Sequence, residues 1–223
     1  MNKSAIAGPS RAGSLPLVGS ELALDFTNTS SGRGGLMHKE HLRSADDVVA
    51  WARHARVLTP ADGQWLVGRI EHDRPVAGEL LRRAQDLREV IYAIGTEIAR
   101  GKRPPAESID SLARVHADCV ARARLVPYGA GFVWAWDPKE APIETILGPV
   151  TLSALTLLTQ ADLSRVKQCQ GDHCGWLFFD TTKNKGRRWC EMEVCGNRAK
   201  QRRHQSRKAG ARPLTPPAGR GLG

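Results

Sequence analysis

Four cysteines in the last third of the chain, Cys169 and Cys174 followed by Cys190 and Cys195, form two CxxxxC pairs separated by fifteen residues. A tetrahedral thiolate site needs two ligand pairs, each close enough in sequence to grip one ion from a tight turn. This spacing predicts one structural Zn2+ held by all four sulfurs. A closed shell of four cysteines leaves no open position for catalysis. An iron–sulfur cluster, which also takes four thiolates, is the alternative, and its colour would reveal it. His173 and His204 lie near the cysteines in sequence but are expected outside the ligand set.

The segment around these cysteines is too small to fold on its own. Trp176, Phe178, Phe179 and Trp189 are few for a unit of about 45 residues, so the metal is expected to staple it together. WLFFDTTKNKGRRW reads as two short strands joined by a polar turn over 182–186, and a helix is expected from Val194 or Cys195 to Arg207. Knuckle, hairpin and helix in this order resemble a treble-clef-like finger.

Charge is unevenly distributed along the chain. The net charge is +10 over 223 residues. From Arg165 to Arg212 there are thirteen Lys or Arg against four Asp or Glu, a balance of +9, which leaves twenty against nineteen elsewhere. A nearly neutral body with a concentrated cationic end is suited to meeting a polyanion. The candidate nucleic-acid contacts are Arg187, Arg188, Asn197, Arg198, Lys200, Gln201, Arg202, Arg203, Arg207 and Lys208. Of these, Asn197, Arg198, Gln201 and Arg202 could read bases by paired hydrogen bonds. For Asn197 and Arg198 a structural role, capping the knuckle and tying finger to body, stands beside that reading.

Upstream the chain reads as helical. Ser44 with Asp47 forms a capping box for a helix through DVVAWARHARVL, and Thr59-Pro60 with Asp62 starts another. From Val76 to Gly101, Leu80, Leu81, Leu87, Ile91, Ile94 and Ile98 share one side of an amphipathic helix, and a further helix is expected over 108–122. RLVPYGAGFVWAWDP then reads as a hairpin, with Phe132, Trp134 and Trp136 turned one way toward the core. PIETILGPVTLSALTLLTQ is helical, with a break or kink expected at Gly148-Pro149. Cys119 is expected to be a buried small hydrophobe. The expected plan is mainly α (α+β): a disordered tail over 1–14, a helical domain over 15–162, the finger over 163–208 and a second disordered tail over 209–223.

Hydrophobic residues make up 41% of the chain, enough for a real core. No apolar stretch suits a signal peptide or a membrane span, and the cysteines read as a metal site rather than disulfides, so a cytoplasmic protein with no membrane partner is expected. No nucleophile–base set, phosphate loop, dinucleotide fingerprint or HExxH spacing is present, so no enzymatic activity is expected.

Three segments, LALDFTNT, CQGDHCGWLFFDTTKN and RRWCEMEVCGNRAKQRRH, resemble the bacterial CGNR zinc finger family, whose N-terminal domain is ascribed to stress-induced transcription regulation. The resemblance implies a DNA-binding regulator whose N-terminal domain senses a small-molecule effector or dimerises. Asp25, Asn28 and Thr29 carry the N-terminal signature and would line an effector pocket, or would cap a turn before the Gly-rich loop. A homodimer would suit paired half-sites on duplex DNA. An RNA- or ribosome-associated role is the alternative, since a basic knuckle with aromatic neighbours also suits folded or single-stranded RNA.

Overall fold

Three helix starts among the described residues are set by side chains that satisfy the first free amides. In a computed structural model describing residues 10–33 and 38–210, with only the backbone of 207–210, α1 spans Leu22–Thr27 and α2 Ala45–His54. The Ser44–Asp47 capping box is present at α2, and Thr59 accepts from the Asp62 amide at the start of α3, Pro60–His72. Asp73 does the same for Val76 at the start of α4, Arg74–Ala99. α5 is Ala106–Val120 and α6 is Glu144–Gln160.

α4 is the spine of the body. Its buried stripe of Leu80, Ala84, Leu87, Ile91 and Ile94 packs in one core with Phe26, Val48, Trp51, Leu66, Leu112, Ile146, Leu147 and Val150. Phe26 and Trp51 meet with ring centroids 4.9 Å apart. Burying each such side chain stabilises the fold by roughly 1.5–3 kcal/mol. Cys119 is fully buried, and burial pushes its thiol up to about 11, as befits an inert core residue.

Among the described residues, three two-stranded antiparallel sheets accompany the helices. β1, Ser30–Ser31, pairs with β2, Lys39–Glu40, across the Gly-rich segment. The buried Arg88 guanidinium grips Glu40 with two bonds of 2.5 and 2.6 Å, which fastens β2 to α4. β3, Arg124–Tyr128, pairs with β4, Gly131–Ala135, and β5, Val166–Gln168, pairs with β6, Leu177–Phe179. A π turn over Met192–Gly196 leads into α7, Asn197–Gly210.

The structure departs from the sequence reading in several places. The expected N-terminal tail reaches into ordered chain: Ala12–Ser14 form a 3-10 turn with Ala12 buried in the body core, while residues 1–9 lie outside the described residues. At the other end α7 runs to Gly210, and 211–223 lie outside the described residues. α6 is unbroken at Pro149, which lies in its second turn and forfeits a single bond to the Thr145 carbonyl. Gly148 is needed for a different reason: a Cβ there would stand 2.4 Å from the Trp136 indole. Trp136 alone of the hairpin aromatics is so engaged, whereas Phe132 and Trp134 face solvent, because no further strand or helix covers β3 and β4 among the described residues.

The finger hairpin also differs. Its strands flank the first knuckle rather than follow it, since β5 ends just before Cys169 and β6 begins just after Trp176. The returning segment 185–189 forms no ladder: beside one main-chain bond, from the Gln170 amide to the Arg188 carbonyl at 3.0 Å, it is held by side chains. Asp180 accepts from the Arg187 amide at 2.9 Å and from Lys167 Nζ at 2.6 Å, and Lys167 also donates to the Lys185 carbonyl. Burial pushes the Asp180 carboxyl up, but the bonds from Lys167, Thr182 and Arg187 outweigh it and hold the group well below the usual carboxylate range.

Candidate metal centre and cationic helix

β5 and β6 bring Cys169 and Cys174 to one end of their hairpin, and the chain leaving Arg187 carries Cys190 and Cys195 to the same point. All four sulfurs lie within 4.8 Å of one another. Cys174 Sγ and Cys190 Sγ are 3.7 Å apart, as are Cys190 Sγ and Cys195 Sγ. Sulfurs at about 2.3 Å from one tetrahedral zinc must be roughly 3.8 Å apart, whereas a disulfide requires about 2.05 Å. The spacing therefore fits one structural zinc ion with all four thiolates as ligands.

The surroundings are shaped for that shell. A Cβ at Gly171 would stand 2.9 Å from Cys195 Sγ and 3.4 Å from Cys169 Sγ, so only glycine fits there. The Gly171 amide donates to Cys169 Sγ at 3.4 Å. Hydrogen bonds from Cys174 and Cys190 hold the Cys169 thiol well below its ordinary range, while Cys169 pushes Cys174 and Cys190 up, and burial raises Cys195. One negative charge thus suppresses the next, and a dication is what allows four thiolates together. His173 is exposed and stands outside the cluster.

The finger is clamped to the body. Asn28, 2% exposed, donates through Nδ2 to the Leu177 carbonyl and accepts at Oδ1 from the Leu177 amide, both at 2.9 Å. Its side chain thus mimics a neighbouring strand for β6. Leu177 is fully buried and fills a notch at Gly95, where a Cβ would meet its Cδ1 at 2.6 Å. The Trp176 indole donates to the Ser30 carbonyl at 3.2 Å, Gly32 donates to the Cys174 carbonyl at 3.1 Å, and Phe179 donates to the Gly19 carbonyl at 2.8 Å. Sequence reasoning missed this seam, for which the only signal was an amide in LALDFTNT with no assigned partner.

The other two residues of that signature also make local bonds. Thr29 Oγ1 donates to the Phe26 carbonyl at 2.7 Å, and Asp25 Oδ1 accepts from the Gly19 amide at 2.7 Å. Burial pushes the Asp25 carboxyl up to about 6, against the lowering influence of the Gly19 bond and the Arg187 charge. The folded state therefore binds this proton more tightly than the unfolded chain, and stability attributable to Asp25 falls as pH rises from about 4 to about 6. Asp25→Asn keeps the acceptor and removes the charge. In urea titrations it is expected to gain up to about 2 kcal/mol on wild type at neutral pH, and much less near pH 4.

Losing the Asn28 clamp costs more. Asn28→Asp replaces a donor with a carboxylate facing the Leu177 carbonyl inside the protein, and a loss of about 3–5 kcal/mol is expected from urea midpoints.

The cationic candidates divide into two groups. Arg187 is turned inward: its guanidinium donates to the carbonyls of Val18 at 2.8 Å, Trp189 at 3.1 Å and Cys190, and lies 4.3 Å from the Phe178 ring centroid. Arg188 is exposed, with Nε on Gln170 at 2.9 Å. Arg202 pairs with Asp172 of the first knuckle, which braces α7 against the metal site. Asn197, Arg198, Lys200, Gln201 and Arg203 are exposed, and their side chains make no hydrogen bond or ion pair among the described residues. The side chains of Arg207 and Lys208 lie outside the described residues.

A helical body with a closed four-cysteine site clamped to it, and a basic helix leaving that site, defines a protein of the structural zinc-finger class. The chain belongs to the ABATE family, described as "Putative stress-induced transcription regulator", which matches residues 20–161. Residues 165–208 match the CGNR zinc finger. No curated protein matches the chain. Among the described residues no helix is long and apolar enough to cross a membrane.

Proposed function

We propose that the protein is a DNA-binding regulator of transcription in which zinc fixes the start of α7 and α7 meets duplex DNA. The observation that carries this reading is the exposure of Arg198, Lys200 and Arg203 on a helix with no buried side chain among the described residues 197–206. Such a helix gains little from packing against the body, and its cations are free to meet phosphates. Cys195, the last zinc ligand, sits in the turn that feeds α7, so the metal sets where the helix emerges. Arg188 extends the cationic surface beside the second knuckle, whereas Arg187 belongs to the scaffold. Asn197, Gln201 and Arg202 are the polar groups suited to base edges.

In this reading the N-terminal signature supports the finger: Asn28 holds β6 directly, Asp25 steadies Gly19, which receives the Phe179 amide, and Thr29 bonds back to Phe26 beside them. An effector that displaced this seam would move the DNA-binding helix, which gives the body a route to regulation. Parallel titration of the zinc-loaded protein with duplex DNA and with structured RNA tests the proposal. Tighter binding to duplex, lost when Cys190 is changed to Ser, is the expected outcome; preference for RNA selects the ribonucleoprotein role instead.

A further inference from the structure

Among the described residues, β3 and β4 join none of the hydrophobic cores. From Leu125 to Trp136 the sequence contains no charged residue. Leu125 is 55% exposed, Tyr128 73%, Phe132 66%, Val133 39% and Trp134 41%. The register sets Leu125 opposite Trp134 and Pro127 opposite Phe132 on one face, and Val126 opposite Val133 on the other, so both faces are apolar. A two-stranded ribbon of this kind is marginal alone, and its open edges invite pairing.

The two edges are not equivalent. β3 contains Pro127, which has no N–H and is tolerated on an edge strand with its missing donor turned outward. β4 contains no proline and pairs with β3 alone among the described residues. Its outer edge therefore keeps its donors and acceptors, and carries none of the lysines or other charges that usually protect such an edge. Arg124, at the start of β3, is already paired with Glu140 at 2.7 Å, so the ribbon offers no free cation to a polyanion.

We infer that β4 adds antiparallel to β4 of a second copy of this chain about a twofold axis, forming a four-stranded sheet. An antiparallel strand placed against its own copy is self-complementary, as a twofold interface requires. An uncharged strand meets no repulsion there. Aromatic side chains present about 200 Å² each, so the exposed parts of the five apolar residues total roughly 500 Å² per chain. Edge pairing sets the exposed Phe132, Val133 and Trp134 of the two β4 strands side by side, and the main-chain bonds between the strands add to that contact. This assignment rests on the hairpin alone and does not require that α7 bind DNA.

Sedimentation velocity of the full-length, zinc-loaded protein across the micromolar range tests it. Wild type is expected to shift from monomer to dimer with concentration. Phe132→Lys with Trp134→Lys is expected to stay monomeric with unchanged far-UV circular dichroism and zinc content. Phe132→Thr with Trp134→Thr, which keeps strand propensity, is expected to weaken the dimer roughly tenfold or more. A wild type monomeric at every concentration overturns the proposal, including one that instead binds zwitterionic vesicles through the hairpin. So does a dimer that neither double variant weakens.

Discussion

Removing zinc by chelation is expected to unfold residues 163–210 and, in the same event, to lower the melting temperature of the helical body by about 6–12 °C. The first effect follows from size: a unit of this length has too little core, and structural zinc supplies of order 10–16 kcal/mol to such folds. The second follows from the seam. Without the finger, Leu24 and Gly95 lose Leu177 as their cover, and the buried Asn28 amide loses both backbone partners. Uncovering these groups costs the body about 3 kcal/mol, and each kcal/mol moves the melting point of a chain this long by about 2–4 °C. Limited proteolysis and thermal melts of wild type with and without chelator, beside Cys190→Ser, read both effects. If chelation changes neither, the structural-metal assignment fails; if only the finger is lost and the body melts as before, the seam contributes little.

Replacing Arg198, Lys200, Arg202 and Arg203 by Ala is expected to reduce duplex DNA affinity roughly a thousandfold at 0.15 M salt. With about six phosphates neutralised by wild type, log K should fall against log salt with a slope near −5, at about −0.9 per phosphate. Four lost contacts flatten that slope to about −2, and extrapolated from 1 M salt this is about three decades of affinity. Arg202→Ala also opens the ion pair to Asp172 and is measured separately, since part of its effect is bracing. Arg187→Ala serves as the contrast. Its guanidinium is bound to three carbonyls, so it should lower stability and leave the salt slope of the folded fraction unchanged. A salt-insensitive wild type, or a quadruple variant that binds as wild type does, removes α7 from the interface.

Local chemistry in the sequence was a good guide wherever the partner lay within a few residues. Ser44 with Asp47 and Thr59 with Asp62 specify helix starts through bonds spanning three residues, and all are present. The cysteine spacing likewise anticipated a cluster that the structure assembles. The failures involve distance along the chain or competition for a role. Asn28 and Leu177 are 149 residues apart, and nothing local tells an amide that its partner is a strand. Arg187 and Arg188 are adjacent and chemically identical, yet only one meets the carbonyls of Val18 and Cys190. Phe132 and Trp134 alternate as buried strand residues would, but alternation does not reveal whether any element lies above the sheet.

The pairing of Asn28 with Leu177 also imposes a schedule on biosynthesis. At translation rates of roughly 5–20 residues per second, the 149-residue interval between them takes about 7–30 s to make. Throughout that time the Asn28 amide has nothing to hold, nor has the Gly95 notch once it is made, however early α2 to α4 come together. The emerging body therefore waits for Leu177 before it can close, and newly made chains should remain protease-sensitive near residues 19–32 until Cys195 has been made and metal is available.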